Sequence, residues 1–168
     1  MARPAGQTLR LTKIDAAELQ LRAAVRMFFE DRALVPIYTL ANAVREVVAQ
    51  IGEHLEVETV QAEVAKARGT NVAELIRPLR EVANFFKHAN RDPIAKIGFN
   101  ENDVEIVLYL ACHDFGRVAG GMPVEAQAFK AWVYAATIKR VSDVPLRNQR
   151  LIKRMIARFP GLRSSAAL

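Results

Sequence analysis

Between Ile37 and Leu55 the apolar residues Ile37, Leu40, Val44, Val47, Val48, Ile51 and Leu55 recur three or four positions apart. That spacing lays them along one side of an α-helix and cannot be accommodated on one face of a strand. A seam this long is not stable against water and must be covered by other helices. Two further segments supply the cover. Ile14, Ala17, Leu21, Val25 and Phe28 form one seam, and Val104, Val107, Leu108, Ala111, Phe115 and Val118 form another.

The start and stop residues agree with this reading. Thr12 with Asp15 has the form of an N-cap with a first-turn acid, and Pro36 suits the opening turn of the second helix. A short helix over 57–68 is expected to end at Gly69, and Asn71 with Glu74 to cap a helix that begins at Val72. Pro78 predicts a kink or a fresh start there, with the helix continuing to about Ala89. Asn90 to Pro93 reads as a turn and Ile94 to Phe99 as extended. The run Val104 to Cys112 is β-branched enough for a buried strand, yet Asn100 with Asp103 caps it and Gly120-Gly121 stops it, which favours helix. Pro123 opens a helix whose middle, Ala131 to Ala136 around Trp132, is apolar on every side and therefore expected to be central. Asp143 and Pro145 begin a last helix that runs to Phe159. The spacing thus predicts an all-α, single-domain helical bundle of about six or seven helices over residues 12–160, with a flexible leader (1–11) and a flexible basic tail (161–168).

The 168 residues suffice for a core without disulfides or a structural metal, and 51% of them are hydrophobic. The single cysteine, Cys112, excludes an intrachain disulfide. Residues 1–10 have no apolar stretch of signal-peptide length, and no segment has the run of about 18 apolar residues that crosses a bilayer. A cytoplasmic protein is expected, with membrane binding disfavoured. The net charge of +6 is unevenly placed. From Lys139 onward eight basic residues face one acid, Asp143, whereas the preceding 138 residues hold 16 basic and 17 acidic ones. Arg147, Arg150, Arg154 and Arg158 fall on one stripe opposite Ile152, Met155, Ile156 and Phe159. The stripe is read either as a solvated face or, because its charges repel one another, as a surface for RNA, DNA or an acidic protein.

Several motifs are set aside. Asp114-Phe115-Gly116 spells the metal-binding triplet of kinases but stands mid-helix, without a Gly-rich loop or catalytic-loop motif. No P-loop or GxGxxG occurs. None of His54, His88 and His113 has a Glu three positions before it, so the pattern of di-iron bundles is missing. No metal and no cofactor are expected.

The segment 80–93, REVANFFKHANRDP, concentrates polar chemistry. On a helical wheel Arg80, Asn84, Lys87, His88 and Arg91 fall within an arc of about 100°, with Leu75, Leu79, Val82, Phe85 and Phe86 opposite. One reading is an exposed face on which Asn84 and His88 tie down the neighbouring turn. The other is an anion or RNA site, with Lys87 and Arg91 holding phosphate and His88 acting as acid or base.

The run Asn84-Phe-Phe-Lys-His88-Ala-Asn-Arg91-Asp-Pro93 resembles a motif of the form NFFKHADRDP in an uncharacterised, mostly proteobacterial protein family. The likeness extends over roughly residues 12–140 and departs at Asn90, where the family pattern has Asp. It implies no particular activity. A more distant likeness is to the HEPN superfamily of helical bundles, many of them metal-independent RNases whose dimers juxtapose an Arg, a polar residue and a His. Asn84-x-x-x-His88 matches the polar residue and the His. Ala83 stands where the Arg belongs, and Arg80 is one turn earlier. The resemblance implies His88 as the catalytic residue, with Asn84 and Arg80 in support, in a homodimer. The reading the sequence favours is a non-catalytic helical domain, homo-oligomeric, that binds nucleic acid or a partner protein through basic faces. The alternatives are a HEPN-like RNase and a structural or regulatory interaction module.

Overall fold

A computed structural model of the chain describes residues 8–30, 33–89 and 92–142, with side chains as far as Thr137. Seven helices and no strand occur among these residues: α1 (Lys13–Glu30), α2 (Leu34–His54), α3 (Val60–Ala67), α4 (Val72–Leu75), α5 (Arg77–Lys87), α6 (Glu101–Val118) and α7 (Val124–Ser142). The architecture is all-α, and Val104 to Cys112 lies within α6. By its internal contacts the chain divides into two units, residues 1–129 and 130–168. The helix expected over 145–159 and the basic tail lie outside the described residues.

In the first unit α2 is the central element and packs on α1, α6 and α5. Most of its expected seam is present, with Ile37, Val44 and Val48 fully buried, but Leu55 at its end is the C-cap residue and 54% exposed. A second inward stripe adjoins it: Tyr38, Ala41, Asn42, Arg45 and Gly52 are buried as well. Leu21, Val25 and Phe28 of α1 and Val104, Val107, Leu108 and Phe115 of α6 complete the core. Phe28 and Phe129 meet edge to face at 5.0 Å, tying the start of α7 to α1. Two arginines on the polar side of α1 add ion pairs at the same place. Arg22 and Arg26 both donate to Glu125 Oε1, at 3.1 and 2.6 Å. The Glu125 carboxyl is held below the usual carboxylate range by its own backbone amide and by these guanidiniums.

The helix ends follow their capping chemistry. Thr12 and Asp15 bond reciprocally at the start of α1, and Asn100 and Asp103 close a capping box on α6. Gly69 and Gly120 take positive φ (65° and 70°) after α3 and α6, as a left-handed C′ position favours. Three boundaries differ from expectation. α2 begins two residues before Pro36, which still lies in the first turn, where a missing N–H is tolerated. α3 begins at Val60 because Thr59 caps it. The fresh start expected at Pro78 occurs, with α5 opening at Arg77, but that helix ends at Lys87 and not near Ala89.

Residues 95–100 have no regular structure, and the turn sits at Pro93–Ile94, closed by Ala95 N–H donating to Asp92 O (3.3 Å). In the second unit Trp132 is half-buried rather than buried, with Ala131 and Ala135 exposed. Most of its apolar neighbours are alanines, which lose little by facing water. No helix among the described residues is long and apolar enough to cross a membrane.

Candidate functional site

α5 is the element on which the sequence places its polar turn, and its orientation differs from expectation. Ile76, Leu79, Val82, Ala83 and Phe86 face inward, with Ala83 only 1% exposed. Phe85, expected among the inward residues, is exposed. The buried face is therefore rotated by roughly 60° from the one the apolar residues suggest, at 100° per residue. The reason is aromatic packing. Phe86 takes up an edge-to-face cluster with Tyr38 (5.8 Å) and Phe99 (5.0 Å), and the Tyr38 hydroxyl donates to Leu79 O at 2.9 Å. Burial pushes the Tyr38 phenol up to about 12.

The residues that the wheel placed in one arc therefore meet different surroundings. Lys87 and Arg80 flank the buried stripe on the side of α2. Lys87 Nζ stands 3.9 Å from Glu46 Oε2, and Arg80 lines a cleft beside α2. Asn84, Phe85 and His88 are exposed. His88 has left the helix: it is the C-cap residue, with extended backbone (φ −133°, ψ 121°). Asn84 and His88 are joined through the main chain, His88 N–H donating to Asn84 O at 2.9 Å. Their side chains make no hydrogen bond with a described residue, so the expected side-chain tie across the turn is not formed. Arg91, Arg147, Arg150, Arg154 and Arg158 lie outside the described residues.

A second polar cluster was not anticipated. Arg45 on α2 is 1% exposed. Its Nη2 and Nε donate to Asn42 Oδ1 at 2.8 and 3.3 Å, and its Nη1 donates to Gln61 Oε1 at 3.0 Å. Asn42 in turn donates to Glu46 Oε1 (3.0 Å), which is 3.6 Å from Arg45 Nη2. Burial lowers the Arg45 pKa. Two neutral amides and one offset carboxylate thus satisfy most of the guanidinium's donors, as a buried cation requires. Arg45 and Gln61 border a cleft of about 460 Å³ between α2, the start of α3, and α4 with the first turn of α5. Ala49, Val57, Ala62, Val72 and Ile76 give it an apolar lining, with Glu53, Glu58 and Arg80 among its polar groups.

Asp114, set aside in the sequence as part of a kinase-like triplet, is fully buried in α6. Its Oδ1 accepts from Val60 N–H at 2.5 Å, so a residue distant in sequence helps cap α3. Its Oδ2 has no hydrogen-bond partner among the described residues. Burial pushes its carboxyl up to about 6. Among the described residues no group of three or more His, Cys, Asp or Glu side chains is placed to hold a metal ion. In comparisons with known proteins, no family model, no curated protein and no solved structure matches the chain.

Proposed function

We propose that this chain is a non-catalytic domain that binds single-stranded nucleic acid through the exposed end of α5. The observation that carries the reading is the last turn of that helix, where Asn84, Phe85 and His88 all face solvent. Phe85 and the His88 imidazole offer π-faces for bases and Asn84 offers an amide for base edges, a combination suited to unpaired strands. The excess of basic residues after Lys139 supplies the sequence-independent attraction to phosphate. Cleavage is disfavoured on two observations. Ala83, where the HEPN-like pattern needs an arginine, points into the core, so an arginine there would not reach a substrate beside His88. The surrogate Arg80 is turned toward α2 and its cleft.

Fluorescence anisotropy with a labelled single-stranded RNA tests the reading. Affinity is expected to fall steeply with salt, and Phe85→Ala to weaken binding by about tenfold, the loss of one stacked base. The Phe85→Ala change is expected to leave the salt slope untouched, while a triple change of Arg150, Arg154 and Arg158 to Gln flattens it. Binding indifferent to both sets of variants would refute the assignment. RNA degraded by the wild type but not by His88→Ala would replace it with the RNase reading.

A further inference from the structure

We propose that the cleft beside Arg45 binds a small zwitterion of the α-amino-acid class, its carboxylate held by Arg80 with the buried charge of Arg45 behind it, and its ammonium by glutamates of the rim. The inference is independent of nucleic-acid binding, since the cleft lies on the α2 side of α5 and the exposed turn on another.

The shape comes from how the short helices are placed. α5 packs on α2, while α3 packs on α4 and α6. A hollow remains over the surface of α2, and at about 460 Å³ it falls in the size range of small-molecule sites. Its lining is mixed, eight polar residues beside five apolar ones, which suits a polar ligand that carries a small apolar part. Val57, Val72 and Ile76 offer surface for an aliphatic or aromatic side chain.

The polar groups narrow the ligand. Arg45 is buried and fixed by Asn42 and Gln61, so it acts on the cleft through its charge and not through a bond to the ligand. The carboxylate beside its guanidinium is that of Glu46, at 3.6 Å and already bonded to Asn42 and close to Lys87, and the buried Asp114 carboxyl also acts on it. Arg80 lines the same cleft and forms no ion pair with a described residue; its charge acts unfavourably on Arg45. Arg80 on the hollow, with the buried charge of Arg45 behind its wall, favours an incoming carboxylate. Glu53 and Glu58 line the cleft too, and neither forms an ion pair with a described residue. They repel a polyanion and favour a ligand that also carries an ammonium group. Carboxylate, ammonium and an apolar side chain within a small molecule describe an amino acid.

The test is thermal unfolding of the full chain with each of the twenty common amino acids at millimolar concentration, followed by calorimetric titration of those that raise the melting temperature. At least one apolar amino acid is expected to do so. Its carboxamide, lacking the carboxylate, and its des-amino acid, lacking the ammonium, are each expected to bind about tenfold more weakly or worse. Arg80→Gln, a change at an exposed position, is expected to weaken binding by a similar factor while leaving the melting temperature of the free protein unchanged. No shift with any of the twenty would overturn the proposal. So would a shift that survives Arg80→Gln, or a des-amino analogue that binds as tightly as the amino acid.

Discussion

Two stretches of this chain set an asparagine one turn before a basic side chain: Asn42-x-x-Arg45 on α2 and Asn84-x-x-x-His88 at the end of α5. The first pair is buried and joined side chain to side chain at 2.8 Å. The second is exposed and joined only through the main chain. The difference comes from what surrounds each helix. α2 is covered by α1, α5 and α6, so a cation on its flank must find acceptors inside the protein. α5 packs on α2 along one stripe, and its last turn stays in water, where polar groups need no internal partner. The buried pair is therefore fixed by folding, and the exposed pair is free to meet something else.

Removing Arg45 should break the buried side of this contrast most severely. Arg45→Ala strips Asn42 and Gln61 of a shared donor and opens a void beside the cleft. A loss of about 3–5 kcal/mol in urea-unfolding free energy is expected, from unsatisfied polar groups and lost packing together. Arg45→Met restores much of the volume but not the donors and should recover part of the loss. A variant within 1 kcal/mol of wild type would mean that the network forms no part of the stability of α2.

The next effect is a pH dependence centred on Asp114. Its folded carboxyl titrates near 6 because burial disfavours the charge, against 3.8 as the ordinary value. The folded state therefore keeps a proton that the unfolded chain has released, and stability falls as pH rises through the interval from about 4 to 6. A displacement of this size corresponds to about 3 kcal/mol, present in full below the interval and lost above it. Asp114→Asn can still accept from Val60 N–H but cannot ionise. Relative to wild type it should gain about that amount between pH 4 and pH 7.5, read from urea unfolding at each pH. A difference that stays constant with pH would show that Asp114 is ionised in the folded protein across the whole range.

The helices were legible in the sequence because their seams and caps are local. Asn100 with Asp103, Thr12 with Asp15, and Gly69 each act within one turn of their own position. The network around Arg45 was not, because its partner Gln61 comes from another helix and its burial depends on a third. A trace of it exists. On the α2 wheel Thr39, Glu46, Gln50 and Glu53 form the polar stripe, and Arg45 stands roughly 100° away from its centre, on the apolar flank. A charged residue so far off the polar stripe of a central helix is a candidate for burial with partners. The rotation of α5 was hidden for a different reason. Phe85 and Phe86 are adjacent and equally apolar, and only the positions of Tyr38 and Phe99 decide which of them turns inward.

The smallest effect is expected on the exposed side, and it bears on how His88 should be understood. A histidine that tied the turn together would cost about 1–3 kcal/mol on removal, the penalty of a stranded buried partner. Here the imidazole is exposed, its side chain bonds no described residue, and the link to Asn84 runs through a backbone N–H that alanine retains. His88→Ala should therefore change the unfolding free energy by less than about 0.5 kcal/mol, as other exposed substitutions do. Asn84→Ala differs in one respect: it replaces a poor helix former within the last turn of α5 and should be slightly stabilising, by a few tenths of a kcal/mol. Loss of RNA affinity in His88→Ala at unchanged stability would sharpen the contrast with Arg45. A large loss of stability would erase it, and place the end of α5 with the core.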